Sequence, residues 1–174
     1  MTLLSGPRYR WDDRPSNRAA GIYAYFLARS DELLPISVPA SGLLYIGMTE
    51  TSLDARCHFE HAHSGFSTLR RSLGAILKDQ LRLRAFPRAP GMSRSNVLSY
   101  RFEAEGEGRL TEWMRENLTY SYREMPDNIA AIEKDIIKSE QPPLNLKEWK
   151  NPQRDEIKRL RAICVAQANL SRAR

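Results

Sequence analysis

Ala20-Gly21-Ile22-Tyr23-Ala24-Tyr25-Phe26 and Leu43-Leu44-Tyr45-Ile46-Gly47 stand about twenty residues apart near the start of the chain. Each is a short run of β-formers bounded by polar or Gly/Pro stretches, which predicts strands over residues 20–26 and 43–46. The intervening residues 31–42, with Pro35 and Pro39, are too long for a tight hairpin but permit antiparallel pairing. Paired in this way, the runs bring the hydroxyls of Tyr23 and Tyr45 onto one small sheet.

Outward from these strands the pattern becomes helical. Ser52 is placed as an N-cap, and Leu53, Arg56, Cys57, Glu60 and His61 recur at helical spacing until Ser64-Gly65. A second helix is expected over 67–83, with Leu69, Leu73, Ile76, Leu77 and Leu81 on one face and Arg70, Arg71, Lys78, Arg82 and Arg84 on the other. Residues 84–95, with two Pro and a Gly, read as a loop. Beyond them the pattern predicts a strand over 97–102, a short helix over 110–117 and an alternating strand over 118–123. Asn128 then caps a helix to about residue 139, stopped by Pro142-Pro143. A last amphipathic helix over 153–169 aligns Ile157, Leu160, Ile163, Cys164 and Gln167.

The helix after Asn128 carries the second informative residue. Ile129, Ile132, Ile136 and Ile137 mark its buried stripe, and Glu133 falls on the edge of that stripe or within it. An unpaired buried carboxylate costs several kcal/mol, so Glu133 must pair with a base, reach the rim or hold a cation. On its own such a residue is most often half of a structural ion pair.

Composition narrows the class. A chain of 174 residues suits one domain with a full core. No apolar run approaches the length of a membrane span, and no basic stretch followed by a long apolar one marks a secretory signal. Two distant cysteines, Cys57 and Cys164, read as thiols in a reducing compartment, so cytoplasm is the expected location and no membrane partner is expected. Lys and Arg outnumber Asp and Glu by 27 to 21. The resulting pI near 9.5, supplied mainly by arginine, suits phosphate groups, although a solvated basic surface would give the same balance.

The two tripeptides Gly21-Ile22-Tyr23 and Tyr45-Ile46-Gly47, the segment Ser52-Leu53-Asp54-Ala55-Arg56, a lone helical Glu133 and Pro143-Leu144-Asn145 occur in that order. Together they resemble the GIY-YIG nuclease superfamily across residues 20–147. The resemblance implies an α/β (α+β) fold with a small, mainly antiparallel sheet of about three strands flanked by helices. Residues 1–19 then form an N-terminal extension and residues 148–174 a basic amphipathic C-terminal helix. It also implies hydrolysis of DNA phosphodiesters with one divalent ion, Mg²⁺ or Mn²⁺, with RNA left open as a substrate. A binding module of the same fold without turnover, and a toxin or defence nuclease, are the alternatives.

By that resemblance Tyr23 and Tyr45 orient or activate water, Arg56 clamps the scissile phosphate, Glu133 holds the metal and Asn145 supports the site. A free phenol ionises near pH 10, so a tyrosinate at neutral pH costs roughly 4 kcal/mol unless Arg56 and the metal lower it. The basic helix face of Arg70, Arg71, Lys78, Arg82 and Arg84 becomes the track for the nucleic-acid backbone. Two positions depart from the family's pattern. Where members often carry His four residues after the arginine, this chain has Glu60, with His58, His61 and His63 around it. In a regular helix His63 projects close to Arg56, whereas His61 does so only if the helix breaks. Met48 replaces a commonly polar residue after the second tripeptide. No DNA-reading module is visible, so specificity would come from loops, extensions or a homodimer through the last helix.

Overall fold

The run Gly21–Leu27 is buried along its whole length, which requires strand neighbours on both edges and cover on both faces. The computed structural model, which describes residues 6–10, 12–29, 33–56, 63–91 and 93–171, supplies all of these. Its elements are β1 (Gly21–Leu27), β2 (Leu43–Thr49), a 3₁₀ turn (Ser64–Phe66), α1 (Thr68–Ile76), β3 (Ala85–Pro87), α2 (Arg94–Val97), β4 (Tyr100–Phe102), α3 (Ala104–Asn117), β5 (Leu118–Glu124), α4 (Ile129–Glu140) and α5 (Arg154–Leu170). β1 lies between β2 and β5 in an antiparallel sheet, and β3 and β4 form a separate two-stranded ribbon. The α/β class, the small antiparallel sheet and the C-terminal helix are as the sequence predicts.

Side-chain alternation along β1 divides the core into two. Tyr23, Tyr25 and Leu27 join Leu69 and Leu73 of α1, Leu110 and Met114 of α3, Tyr120 of β5 and Ile157 and Cys164 of α5. Ile22, Ala24 and Phe26 face the other way and pack with Leu43, Ile46 and the α4 residues Ile129 and Ile137. Both edges of the sheet are covered, which blocks further strand addition. Tyr9 exchanges two 2.8 Å backbone bonds with Tyr120 on the outer edge of β5. On the outer edge of β2, Leu144 N–H donates to Leu44 O at 2.9 Å, and Asn145 follows beside Ile46.

Several boundaries differ from the sequence reading. Ser67 does cap α1, its hydroxyl accepting from Arg70 N at 3.1 Å, but the helix ends at Ile76. Residues 77–82 form turns, with Arg82 at φ 50°; their leucines keep helical spacing only because the turn packs on the same core. The predicted loop 84–95 contains β3, whose partner β4 lies far along the chain, and the predicted strand 97–102 is reduced to Tyr100–Phe102. α3 begins at Ala104, earlier than expected, because Gly106 and Gly108 hide it from propensity. Residues 53–56 form a turn, while Cys57, His58, Glu60 and His61 lie outside the described residues. α5 turns Ile157, Cys164 and Ala168 inward onto α1 and β3, leaving Ile163 exposed rather than in the stripe. Cys164 is a buried free thiol. Among the described residues no helix is long and apolar enough to cross a membrane.

The expected nucleic-acid contact Arg70 needs a firmer correction, because it is fully buried. Its Nη2 donates to Glu107 Oε2 at 2.8 Å and its Nη1 to Thr111 at 2.9 Å. Glu107 also accepts from Ser64 N at 2.7 Å, Ser64 Oγ at 2.9 Å and Phe102 N at 2.9 Å. Arg70 is therefore the counter-charge that lets Glu107 tie the 3₁₀ turn, α1, β4 and α3 together. Removing one member of such a pair strands the other charge in the core. Arg70→Ala is expected to lower the unfolding free energy by ~3–5 kcal/mol in urea denaturation, whereas exposed Arg82→Ala stays within ~0.5 kcal/mol.

Candidate active site

The register of β1 on β2 sets Tyr23 opposite Gly47 and Tyr25 opposite Tyr45. Gly47 is required by close approach: a Cβ there would lie 2.5 Å from the Tyr23 hydroxyl and 2.6 Å from its ring. Gly21 is likewise confined, since its Cβ would collide with the carbonyl oxygen of Arg123 on β5. The Tyr23 ring stacks on Tyr120 at 6.1 Å, meets Tyr25 edge-on at 5.9 Å and lies 6.5 Å from Tyr45. Packed aromatics on three sides leave the Tyr23 phenol little freedom to rotate.

Arg56 reaches this phenol from the turn after β2 and hydrogen-bonds to it. The turn is held by the N-terminal segment. Leu53 N donates to Ala19 O at 3.0 Å and Asp54 N to Asn17 O at 2.9 Å. The Asp54 carboxylate accepts from Ser16 Oγ at 2.7 Å, Asn17 N at 2.9 Å and Arg14 Nη1 at 3.2 Å. Desolvation pushes this carboxyl up, but the bonds from Ser16 and Asn17 and the charges of Arg14 and Arg18 outweigh it and hold it below its ordinary value. Asp54 thus ties the turn that carries Arg56 to the N-terminal segment.

Glu133 approaches from α4, half-buried, and makes no hydrogen bond or salt bridge to the described residues. Burial raises its acid, the nearby charge of Glu148 raises it further, and Lys134 and Arg56 partly offset both. Among the described residues Glu133 has no ion-pair partner. A half-buried carboxylate with a second acid beside it is a donor set that suits a hard divalent cation. Among the described residues no three His, Cys, Asp or Glu gather at one point, so water and substrate oxygens would complete the shell of such an ion.

Tyr23, Tyr45, Arg56 and Glu133 therefore act on one another electrostatically. Burial, then the neighbouring Tyr45, push Tyr23 well above the ordinary phenol value, and Arg56 lowers it without prevailing. Tyr45 is pushed up to about 12 by burial and by Glu133, against Arg56 and Arg71. Arg56 lowers both tyrosines, but without a bound cation desolvation outweighs it, and both phenols lie above their ordinary range.

A family model for the GIY-YIG catalytic domain matches residues 21–163. The chain belongs to the GIY-YIG family. Its domain is of nuclease type. Curated proteins and solved structures give no match.

Other predicted site residues of this GIY-YIG domain occupy different places. The Asn145 amide accepts from Ile46 N at 2.9 Å and donates to Ile46 O at 2.8 Å, standing in for a missing strand beside Tyr45. The Asn145 backbone is itself braced, its carbonyl accepting from Trp149 and Asn151 at 2.9 and 3.1 Å. His63 caps the 3₁₀ turn, its Nδ1 accepting from Gly65 N at 3.2 Å, with its ring against Phe66; His61 lies outside the described residues. Arg71 is half-buried and donates to Ser99 Oγ at 3.0 Å, Lys78 is half-buried beside Asp79 at 4.0 Å, and Arg82 and Arg84 are exposed. Met48 packs into the apolar layer under α4. Two electrostatic pairings escaped sequence reasoning. Glu148, at φ 72°, reaches Glu133 by a backbone turn with no motif of its own. Arg71, expected on a basic face toward nucleic acid, also lies within electrostatic range of Tyr45.

Two outcomes follow from this geometry. Asn145→Ala leaves the buried amide and carbonyl of Ile46 unpaired and is expected to cost ~2–4 kcal/mol in chemical denaturation. Because Tyr45 keeps its proton to about 12 rather than 10, the folded state binds more protons than the unfolded chain between those values. Its contribution to stability is complete below pH 10 and is lost as the pH rises through about 12. Ultraviolet titration of the native protein is expected to show a late-ionising phenol there that Tyr45→Phe removes.

Proposed function

We propose that this chain is a metal-dependent endonuclease that hydrolyses DNA phosphodiester bonds. The observation that carries the reading is the convergence of two packed phenols, the Arg56 guanidinium and the half-buried Glu133, which has no salt-bridge partner among the described residues. Glu133 would hold Mg²⁺ or Mn²⁺, with Glu148 near enough to strengthen the local negative field. When bound, the ion supplies charge neutralisation at the scissile phosphate and the leaving oxygen. Arg56, steadied by the Asp54 turn, takes a non-bridging phosphate oxygen and offsets the charge that grows on it during attack.

Tyr23 carries a protonated phenol on a fixed axis, so it orients the attacking water by hydrogen bonding. A proton can pass to its oxygen only after added positive charge lowers its pKa. Tyr45 donates from the neighbouring strand to the water or to a phosphate oxygen. Arg71, Arg82 and Arg84 supply backbone contacts, and binding weakens steeply with salt. The buried free thiol Cys164 suits a reducing cytoplasm. A homodimer through α5 would rest on Ile163 and Leu170, 45% and 72% exposed.

The test is cleavage of supercoiled plasmid by the full chain with Mg²⁺ or Mn²⁺ at low and moderate salt. Nicking is expected to require the metal and to fall by at least ~10²-fold in both Arg56→Ala and Glu133→Ala. Retention of DNA without cleavage under every condition would instead support a binding module that lacks turnover.

A further inference from the structure

Phe66 is 59% exposed yet sits on one of the most firmly held turns in the molecule. Ser64 on this turn is bonded through both its amide and its hydroxyl to buried Glu107. Gly65 N is capped by His63, and Ser67 N returns to Ser64 O at 3.1 Å. A single exposed apolar ring needs no explanation by itself, but the surroundings of this one are specific. The Arg88 guanidinium lies 5.1 Å from the Phe66 ring centroid, held in place by Asn96 Oδ1 at 3.0 and 3.3 Å. Asn96 is in turn anchored on Pro90 O at 2.9 Å. The His63 ring flanks Phe66 on another side at 5.2 Å.

Cationic groups extend from this ring toward the tyrosines. Arg71 Nη1 contacts Gly65 O at 3.5 Å and Ser99 Oγ at 3.0 Å. Burial chiefly, then the charges of Arg161 and Arg88, hold Arg71 below the usual arginine value, and Tyr45 lies within its electrostatic reach. Arg71 and Arg88, both anchored beside the same turn, gain stability from a polyanion laid across them. An apolar protein partner would want a wide hydrophobic patch, whereas here one ring is rimmed by guanidinium and imidazole groups.

We propose that Phe66 is a stacking platform for an unpaired DNA base flanking the cleaved phosphate, with Arg71 and Arg88 holding the adjacent backbone phosphates. This rests on the nuclease reading for the position of the cleaved bond. A base offers its face to a protein ring only once it leaves its own stack, and it does so at least cost where it is already unpaired. The substrate class is thus DNA with a bulge, flap or single-stranded junction beside the cut.

The test uses the full chain without divalent ions and two labelled duplexes, one perfect and one with a single bulged 5-iodouracil. Fluorescence anisotropy reads affinity, and photocrosslinking with peptide mapping reads the contact. The bulged duplex is expected to bind more tightly and to crosslink at Phe66. Phe66→Ala is expected to lose ~5- to ~150-fold in affinity for it, while Phe66→Trp retains both signals. Equal affinity for the two duplexes, or an unchanged Phe66→Ala, overturns the platform. So does a dimer that Phe66→Ala dissociates in sedimentation without altering DNA binding, which would assign the ring to self-contact. Preference for the matching bulged RNA overturns the assignment to DNA. Binding is read here without turnover: loss of plasmid cleavage with bulge preference intact defeats the nuclease reading alone, and cleavage with a silent Phe66→Ala defeats the platform alone.

Discussion

The phenol of Tyr23 lies directly over Gly47, so close that no other residue fits beneath it. This contact joins the two halves of the site across the β1–β2 pair and is possible only because β1 is the central strand, packed from both faces. With Tyr120 stacked on one side and Tyr25 edge-on, the ring is confined by neighbours that are themselves core residues. Rigidity at the phenol is therefore a property of the whole sheet, and Arg56, Tyr45 and Glu133 are arranged about a fixed point.

Around that point the chain uses polar staples where backbone pairing ends. Asp54 gathers Ser16, Asn17 and Arg14 to hold the Arg56 turn, Asn145 replaces a strand beside Ile46, and Glu107 locks the 3₁₀ turn with Arg70 as counter-charge. Each meets several donors at once, which is how a buried or half-buried polar group recovers its desolvation cost. Each fixes a turn or a strand edge that backbone pairing alone leaves unsupported.

The electrostatics of the site follow from competition between burial and charge. Burial raises both phenols and Glu133 together, and the cations Arg56 and Arg71 only moderate the effect on the tyrosines. The site in the protein alone thus holds protonated phenols around a carboxylate in need of positive charge. Positive charge brought near Glu133 would stabilise its carboxylate and lower the tyrosines at the same time, which is the physical basis of the proposed metal role.

How much was legible depended on whether the cause was local. The two strands, the cap at Ser67, the helices around Glu133 and Cys164, and the five motif elements in order rest on side-chain pattern and spacing, which a chain displays before it folds. Arg70 shows the limit: a basic residue on a periodic helix reads as solvated until its partner Glu107, distant in sequence, closes over it. The β3–β4 ribbon, the end of α1 at Ile76 and the approach of Glu148 to Glu133 likewise depend on contacts between distant segments. The sequence by itself determined the family, the central pair of strands and which residue types could do phosphate chemistry, because these are written in local patterns. Only the tertiary structure decided that Arg70 is core, that the Asn145 side chain is taken up by the Ile46 backbone, and that burial outweighs Arg56 at the phenols, because desolvation and pairing exist only once remote segments meet.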